Sequence, residues 1–287
     1  MTRYAKPSSV EEALALLADG AWRILAGGTD FYPAQGNRPL RDDVLDINGL
    51  DELRGISETA THVVIGARTS WTGIVRHPFP PAFAALQAAA REVGSVQIQN
   101  TGTVAGNLCN ASPAADGVPA LMVLDAEVVL RSASGVRRLP LGGFILGNRR
   151  TALMPGEMVT AIEVPKASTA GASSFVKLGA RRYLVISIAM AAARLAVDGA
   201  GRIAEAAVSV GACSAVSQRL PELERALLGK AADDRLPDLV DAIHVAELSP
   251  IDDVRADAAY RRLAAREIVA RALAVAAGQL DAKAVAA

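Results

Sequence analysis

Apolar residues fall at helical spacing near the start of the chain, where Ala13, Leu14 and Leu17 form a stripe behind Ser8-Ser9-Val10-Glu11-Glu12. That segment sets a serine three residues before a glutamate twice over, the spacing of a capping box, so a helix is predicted to about Ala18 with Gly20 as its stop. The pattern then changes to short apolar or alternating runs at Trp22 to Leu25, Val44 to Ile47, Leu53 to Ile56 and His62 to Ile65, each read as a strand. Trp71, Ile74 and Val75 predict a brief helix, and Pro80-Pro81 starts another through Phe83, Leu86 and Ala90. From Gln99 to Asp116 no period is visible, and this stretch reads as a long loop. A helix over Gly117 to Leu124 follows, then a hairpin from Ala126 to Arg131 and Val136 to Leu139, turning at Ser134-Gly135, and a strand over Val159 to Val164.

Residues 165–171, small and polar with Gly171, form the best candidate linker. Beyond it, Ser174 to Gly179, Ile186 to Ala196 and Ile203 to Gly211 predict three strands. Pro221 to Leu228, Leu236 to Leu248 and Ala256 to Gln279 predict helices. In the last of these Tyr260, Leu263, Ala264, Ile268, Ala272 and Val275 supply the apolar side and Arg261, Arg262 and Arg266 a basic one. The pattern is that of an α+β protein with a C-terminal unit of a three-stranded antiparallel sheet packed with helices.

With 287 residues the chain exceeds ordinary single-domain size, so two or three compact units are expected. Thirty Lys+Arg balance thirty Asp+Glu, which leaves no global field to attract nucleic acid or anionic lipid. No apolar run is long enough to insert in a membrane; the best, Val185 to Val197, is short and holds Arg194. The expectation is a soluble, cytoplasmic chain, with export alongside a partner left open. Cys109 and Cys213 are isolated, so this chain supplies no iron–sulfur or other metal site, and Cys109 reads as a small apolar filler. His62, His77 and His244 share no motif, and no catalytic residue is marked.

Chemistry concentrates in two glycine-containing segments. Ile24-Leu25-Ala26-Gly27-Gly28-Thr29-Asp30-Phe31 ends a strand in a turn with paired glycines, and Thr103-Val104-Ala105-Gly106-Asn107 lies within the aperiodic stretch that runs on to Asp116. Glycine allows positive φ and close backbone approach, and exposed N–H groups suit a phosphate. Neither segment is GxGxxG or a phosphate loop with Gly-Lys-Ser/Thr, so Rossmann and nucleoside triphosphatase signatures are lacking.

Together the two segments resemble the flavoprotein (middle) subunit of the molybdenum hydroxylases, the group containing xanthine dehydrogenase and carbon monoxide dehydrogenase. There, Ala-Gly-Gly-Thr-Asp and Thr-Val-Gly-Gly-Asn, the latter running into Ala-Ser-Pro and an aspartate, bind FAD; Ala105 stands here for the first of the paired glycines. The resemblance extends to Arg255-Ala256-Asp257-Ala258-Ala259-Tyr260-Arg261-Arg262 and so covers nearly the whole chain. It implies a two-subdomain FAD-binding domain of the vanillyl alcohol oxidase (PCMH) type over residues 1–167, divided near residue 90, and a smaller C-terminal domain of the carbon monoxide dehydrogenase flavoprotein type over residues 168–287.

The resemblance also implies roles. The residues of both segments would hold noncovalent FAD, Val93 and Val159 would line its ring, and Lys177 would reach the flavin. From the residues alone Lys177 could equally face outward from an alternating strand. Asp116 reads on its own as a cap for the helix at Gly117 and, by resemblance, as a flavin ligand. Partners implied are a large molybdopterin-binding subunit and a small subunit with two [2Fe-2S] clusters, in a heterotrimer or its dimer, with FAD passing electrons to an external acceptor. A self-contained flavin oxidase of the PCMH superfamily and a non-catalytic scaffold module stay as alternatives.

Overall fold

The computed structural model describes residues 2–286 and contains three main sheets, each with its own helical cover. The first is formed by β1 (Tyr4–Ala5), β2 (Trp22–Leu25) and β3 (Asp43–Asp46) in the order β1-β3-β2, all parallel. Between its strands run α1 (Val10–Asp19) and α2 (Phe31–Gln35). The start of α1 uses both serines: Ser9 Oγ accepts from the Glu12 N–H, while the Glu12 carboxylate accepts from the Ser8 N–H at 2.7 Å. Val10, Ala13, Leu14 and Leu17 then bury against Leu45, Ile47, Leu50 and Leu53.

The next stretch supplies β4 (Ile56–Glu58), β5 (His62–Gly66), α3 (Trp71–Arg76), α4 (Ala84–Glu92), α5 (Val96–Thr101), α6 (Val104–Asn110) and α7 (Gly117–Met122). It continues with β6 (Glu127–Ser132), β7 (Gly135–Pro140), α8 (Leu141–Phe144), β8 (Ile145–Gly147), β9 (Arg150–Thr151) and β10 (Met158–Pro165). Strands β4-β5-β10-β6-β7 make an antiparallel sheet. Pairing of β5 with β10 therefore joins residues on either side of residue 90 in one sheet. Trp71, Phe83, Leu86, Leu108, Leu121 and Phe144 fill the core beneath it.

The C-terminal unit holds β11 (Ala172–Leu178), β12 (Ala189–Val197), β13 (Ile203–Gly211), β14 (Gln218–Arg219), α9 (Pro221–Leu227) and α10 (Ala258–Ala286). Its sheet has four strands rather than three, because Gln218 and Arg219 add a short edge to β13. Against this sheet α10 packs with Ala265, Val269, Leu273 and Ala276.

Several expectations need correction. The stretch from Gln99 to Asp116 is a loop only after Asn110: before that, Ser95 and Thr103 cap two short helices, and Gly102 separates them. Capping and the burial of Val104, Ala105 and Leu108 outweigh the weak helix propensity of glycine, asparagine and threonine. Leu53 lies in a 3₁₀ turn, and Gly55 at φ +86° delays the strand to Ile56. The predicted helix over Leu236 to Leu248 is instead two 3₁₀ turns, Leu236–Leu239 and Ala242–Val245, the second restarted by Asp241 as its cap. The strand expected from Ile186 begins only at Ala189.

Candidate functional site

The ends of β2, α4, α6 and β10, with the chain before β12, surround a cleft of about 1690 Å³. Of the residues singled out in the sequence, Ile24, Ala26, Gly27, Gly28, Thr29, Asp30, Phe31, Val93, Thr103, Ala105, Gly106, Asn107, Asp116 and Val159 line it. Leu25, Val104 and Lys177 do not: Leu25 and Val104 are buried in the packing behind the wall, and Lys177 stands behind Asp116. None of the three histidines reaches the cleft.

The two glycine-containing segments form one wall because they are bolted together. A Cβ on Gly27 would lie 2.0 Å from the Thr101 carbonyl oxygen, so this glycine serves loop-to-loop packing. Gly28 has φ +75°, a left-handed conformation that a branched residue resists. Asn110 Nδ2 donates to Asp30 Oδ1 at 2.8 Å, and Asn48 Nδ2 donates to the Ala26 carbonyl at 2.8 Å.

At the start of α6 the donors are nearly all spent: Val104 N–H goes to Thr69 O, Gly106 N–H to Thr103 Oγ1 at 3.0 Å, and Asn107 N–H to Thr103 O. No acceptor among the described residues meets the Ala105 N–H. Asn107 Oδ1 is buried without a partner and awaits a donor. A bare glycine turn, a free N–H and an orphaned amide oxygen on one cleft wall fit a ligand with phosphate and hydroxyl groups, such as FAD.

Asp116 does not cap α7 with its side chain. Its Oδ2 accepts from Lys177 Nζ at 2.7 Å and its Oδ1 from the Ser187 hydroxyl at 2.6 Å. Lys177 also donates to the Glu92 carbonyl at 3.4 Å. Lys177 thus points inward from β11, its side chain only 6% exposed. Burial pushes the Asp116 carboxyl above its usual range, against the opposing pull of Lys177 and Ser187. The wall so formed carries a buried ion pair drawn from both halves of the chain.

Sequence reasoning missed other lining residues. Trp22, Arg23, Cys109, Arg149, Leu153 to Glu157 and Leu184 to Ile186 all face the cleft. Arg23 sits 4.1 Å over the Phe31 ring, and Arg149 donates to the Asn110 carbonyl at 3.2 Å. Nothing local in the sequence marks Arg149 or Leu184, both held at positive φ by their surroundings. Cys109 is not core filler: it is exposed and lines the cleft.

Two family models match the chain: "FAD binding domain in molybdopterin dehydrogenase" over residues 1–167 and "CO dehydrogenase flavoprotein C-terminal domain" over residues 174–276. The nicotinate dehydrogenase FAD-subunit of Eubacterium barkeri is 36% identical over 254 residues, covering 84% of this chain and 86% of that protein. The glyceraldehyde dehydrogenase medium chain of Sulfolobus acidocaldarius is 32% identical and covers 90% and 92%. Among solved structures, carbon monoxide dehydrogenase from Hydrogenophaga pseudoflava superposes with a TM-score of 0.86 at 30% identity, covering 97% of this chain and 98% of that one. The chain therefore belongs to the FAD-binding medium subunits of the molybdenum hydroxylases, oxidoreductases in which the flavoprotein is one subunit of a larger complex.

Proposed function

We propose that this chain takes electrons from iron–sulfur clusters of a small partner subunit and delivers them through FAD to an external acceptor, after substrate is oxidised at a molybdopterin centre in a large partner. The observation that carries the reading is the cleft itself, with its glycine turn, free Ala105 N–H and orphaned Asn107 amide oxygen beside a lining that offers no histidine base. FAD, when bound, supplies a carrier able to take up and release electrons. The chain's own residues then do three things. The Gly27-Gly28 turn and the start of α6 hold the cofactor, Val93 and Val159 give it apolar surface, and the Asp116–Lys177–Ser187 cluster fixes the electrostatics of one wall.

The proposed division is an FAD-binding domain over residues 1–167 and a C-terminal domain over residues 168–287. The proposed assembly is a heterotrimer with the large and small subunits, or its dimer, in the cytoplasm. Among the described residues no helix is long and apolar enough to cross a membrane.

Removing FAD from the assembled complex tests the reading. Substrate should still reduce the iron–sulfur clusters, acceptor reduction should fall to background, and added FAD should restore it. Acceptor reduction that persists at full rate in the flavin-free complex would overturn it.

A further inference from the structure

A second cavity of about 280 Å³ opens beside the first glycine turn, with Asn48, Arg54, Arg68, Asn100 and Thr101 in its wall. Ala26, Gly27 and Thr103 border both this space and the main cleft. Its distinguishing residue is Arg68, whose side chain is only 7% exposed. Arg68 Nη1 donates to the Leu50 carbonyl at 2.7 Å, while Nε is buried without a partner. A guanidinium carries five N–H donors and stays charged, so one backbone carbonyl leaves most of its capacity unused in a nearly dry setting. An unmatched buried charge of this kind is costly.

The nearest carboxylate does not match it. Asp51 lies 3.7 Å from Arg68 Nη1 and 3.8 Å from Arg54 Nη1, on a side chain that is 86% exposed. Water and salt weaken so loose a contact, and the buried Asp46, which also acts on Arg68 by charge, makes its hydrogen bonds to Tyr4 and the Asn48 N–H instead. On the facing wall Asn100 Oδ1 accepts the Thr72 hydroxyl at 2.6 Å, which leaves the NH₂ end of the amide to donate. The wall is thus rich in donors and net positive, in a space far smaller than the dinucleotide cleft. The chemistry that completes it is a compact group with several acceptor oxygens and negative charge.

We propose that this cavity is a binding site for a small oxyanion of the phosphate or carboxylate class, held by Arg68 and Arg54 with the Asn100 amide. The site is separate from the electron-transfer reading and does not depend on it. Calorimetric titration of the FAD-saturated full chain with inorganic phosphate, and separately with acetate, tests it at ionic strength held constant with chloride. FAD saturation keeps either anion out of the main cleft. Saturable one-to-one binding of at least one anion is expected. Arg68→Met should weaken it by roughly tenfold or more, the loss of one charge-assisted contact. Arg54→Gln, an exposed change that spares the fold, should weaken it severalfold with the flavin spectrum unaltered. Which anion binds tighter identifies the class. No saturable binding of either anion, or binding that both variants retain, would overturn the site.

Discussion

Gly28 combines φ +75° with a position where a Cβ would stand 2.9 Å from the Tyr32 ring. Gly28→Val should therefore lose most of the bound FAD while the protein stays folded, as measured by the flavin-to-protein absorbance ratio; stoichiometric FAD in a folded variant would contradict the role given to the turn. Lys177 is a different case, because its loss would strand the Asp116 carboxylate at 8% side-chain exposure. Lys177→Met should cost roughly 3–5 kcal/mol in urea unfolding at neutral pH. The sign with pH follows from the raised Asp116 pKa: the folded state takes up a proton more readily than the unfolded one, so the cost should shrink on acidification as the stranded group becomes neutral. A loss within about 0.5 kcal/mol, the size of a surface change, would contradict it. At this scale the paired glycines and Asp116 are legible from composition and motif. Asn107's orphaned oxygen, Arg149 and Ser187 are not, because each acquires its part only when distant segments meet.

The turn between β9 and β10 frames one side of the cleft and depends on a single carboxylate. Glu157 accepts from Arg137 at 2.6 and 2.7 Å and from the Met154 N–H at 2.8 Å, and the Arg137 guanidinium also reaches the Ala152 carbonyl at 2.7 Å. The hydrogen bonds from Arg137 hold the Glu157 pKa below its ordinary 4.5. A depressed carboxylate pKa stabilises the fold above that ordinary value, and the gain is lost as pH falls through the folded value. Glu157→Gln should lower the melting temperature at neutral pH and converge with the parent on acidification; a constant gap across pH would contradict it. Elements with a sharp stripe and a cap, such as α1, can be read in advance, whereas α5 and α6 arise from caps and packing that propensity does not show. The apolar side read for α10 is right in half of its members, since Ala264, Ile268 and Ala272 are buried in the core. Tyr260, Leu263 and Val275 are 49%, 68% and 50% exposed, while Arg261 is buried, donating to the Ile188 and Ala212 carbonyls and pairing with Asp253 at 2.7 Å.

At the scale of the whole molecule, the C-terminal unit is coupled to the flavin cleft by side chains. Lys177 and Ser187 cross to Asp116, and Ser173 Oγ donates to the Ala82 carbonyl at 2.6 Å. Arg194 donates to the Val123 carbonyl at 2.8 Å, and Arg219 pairs with Asp125 at 2.8 Å. The order of elements and the motif pair carry the family in the sequence, but the β5–β10 pairing and these cross-links depend on long-range packing that local pattern does not encode. On the proposed reading, this FAD-binding subunit should pass electrons without oxidising an organic substrate itself. The most direct measurement is anaerobic bleaching of the flavin band, first in the isolated FAD-loaded chain and then in the complex reconstituted with its partner subunits and their substrate. Bleaching only in the complex is the predicted result; bleaching of the isolated chain by a small organic substrate would contradict it.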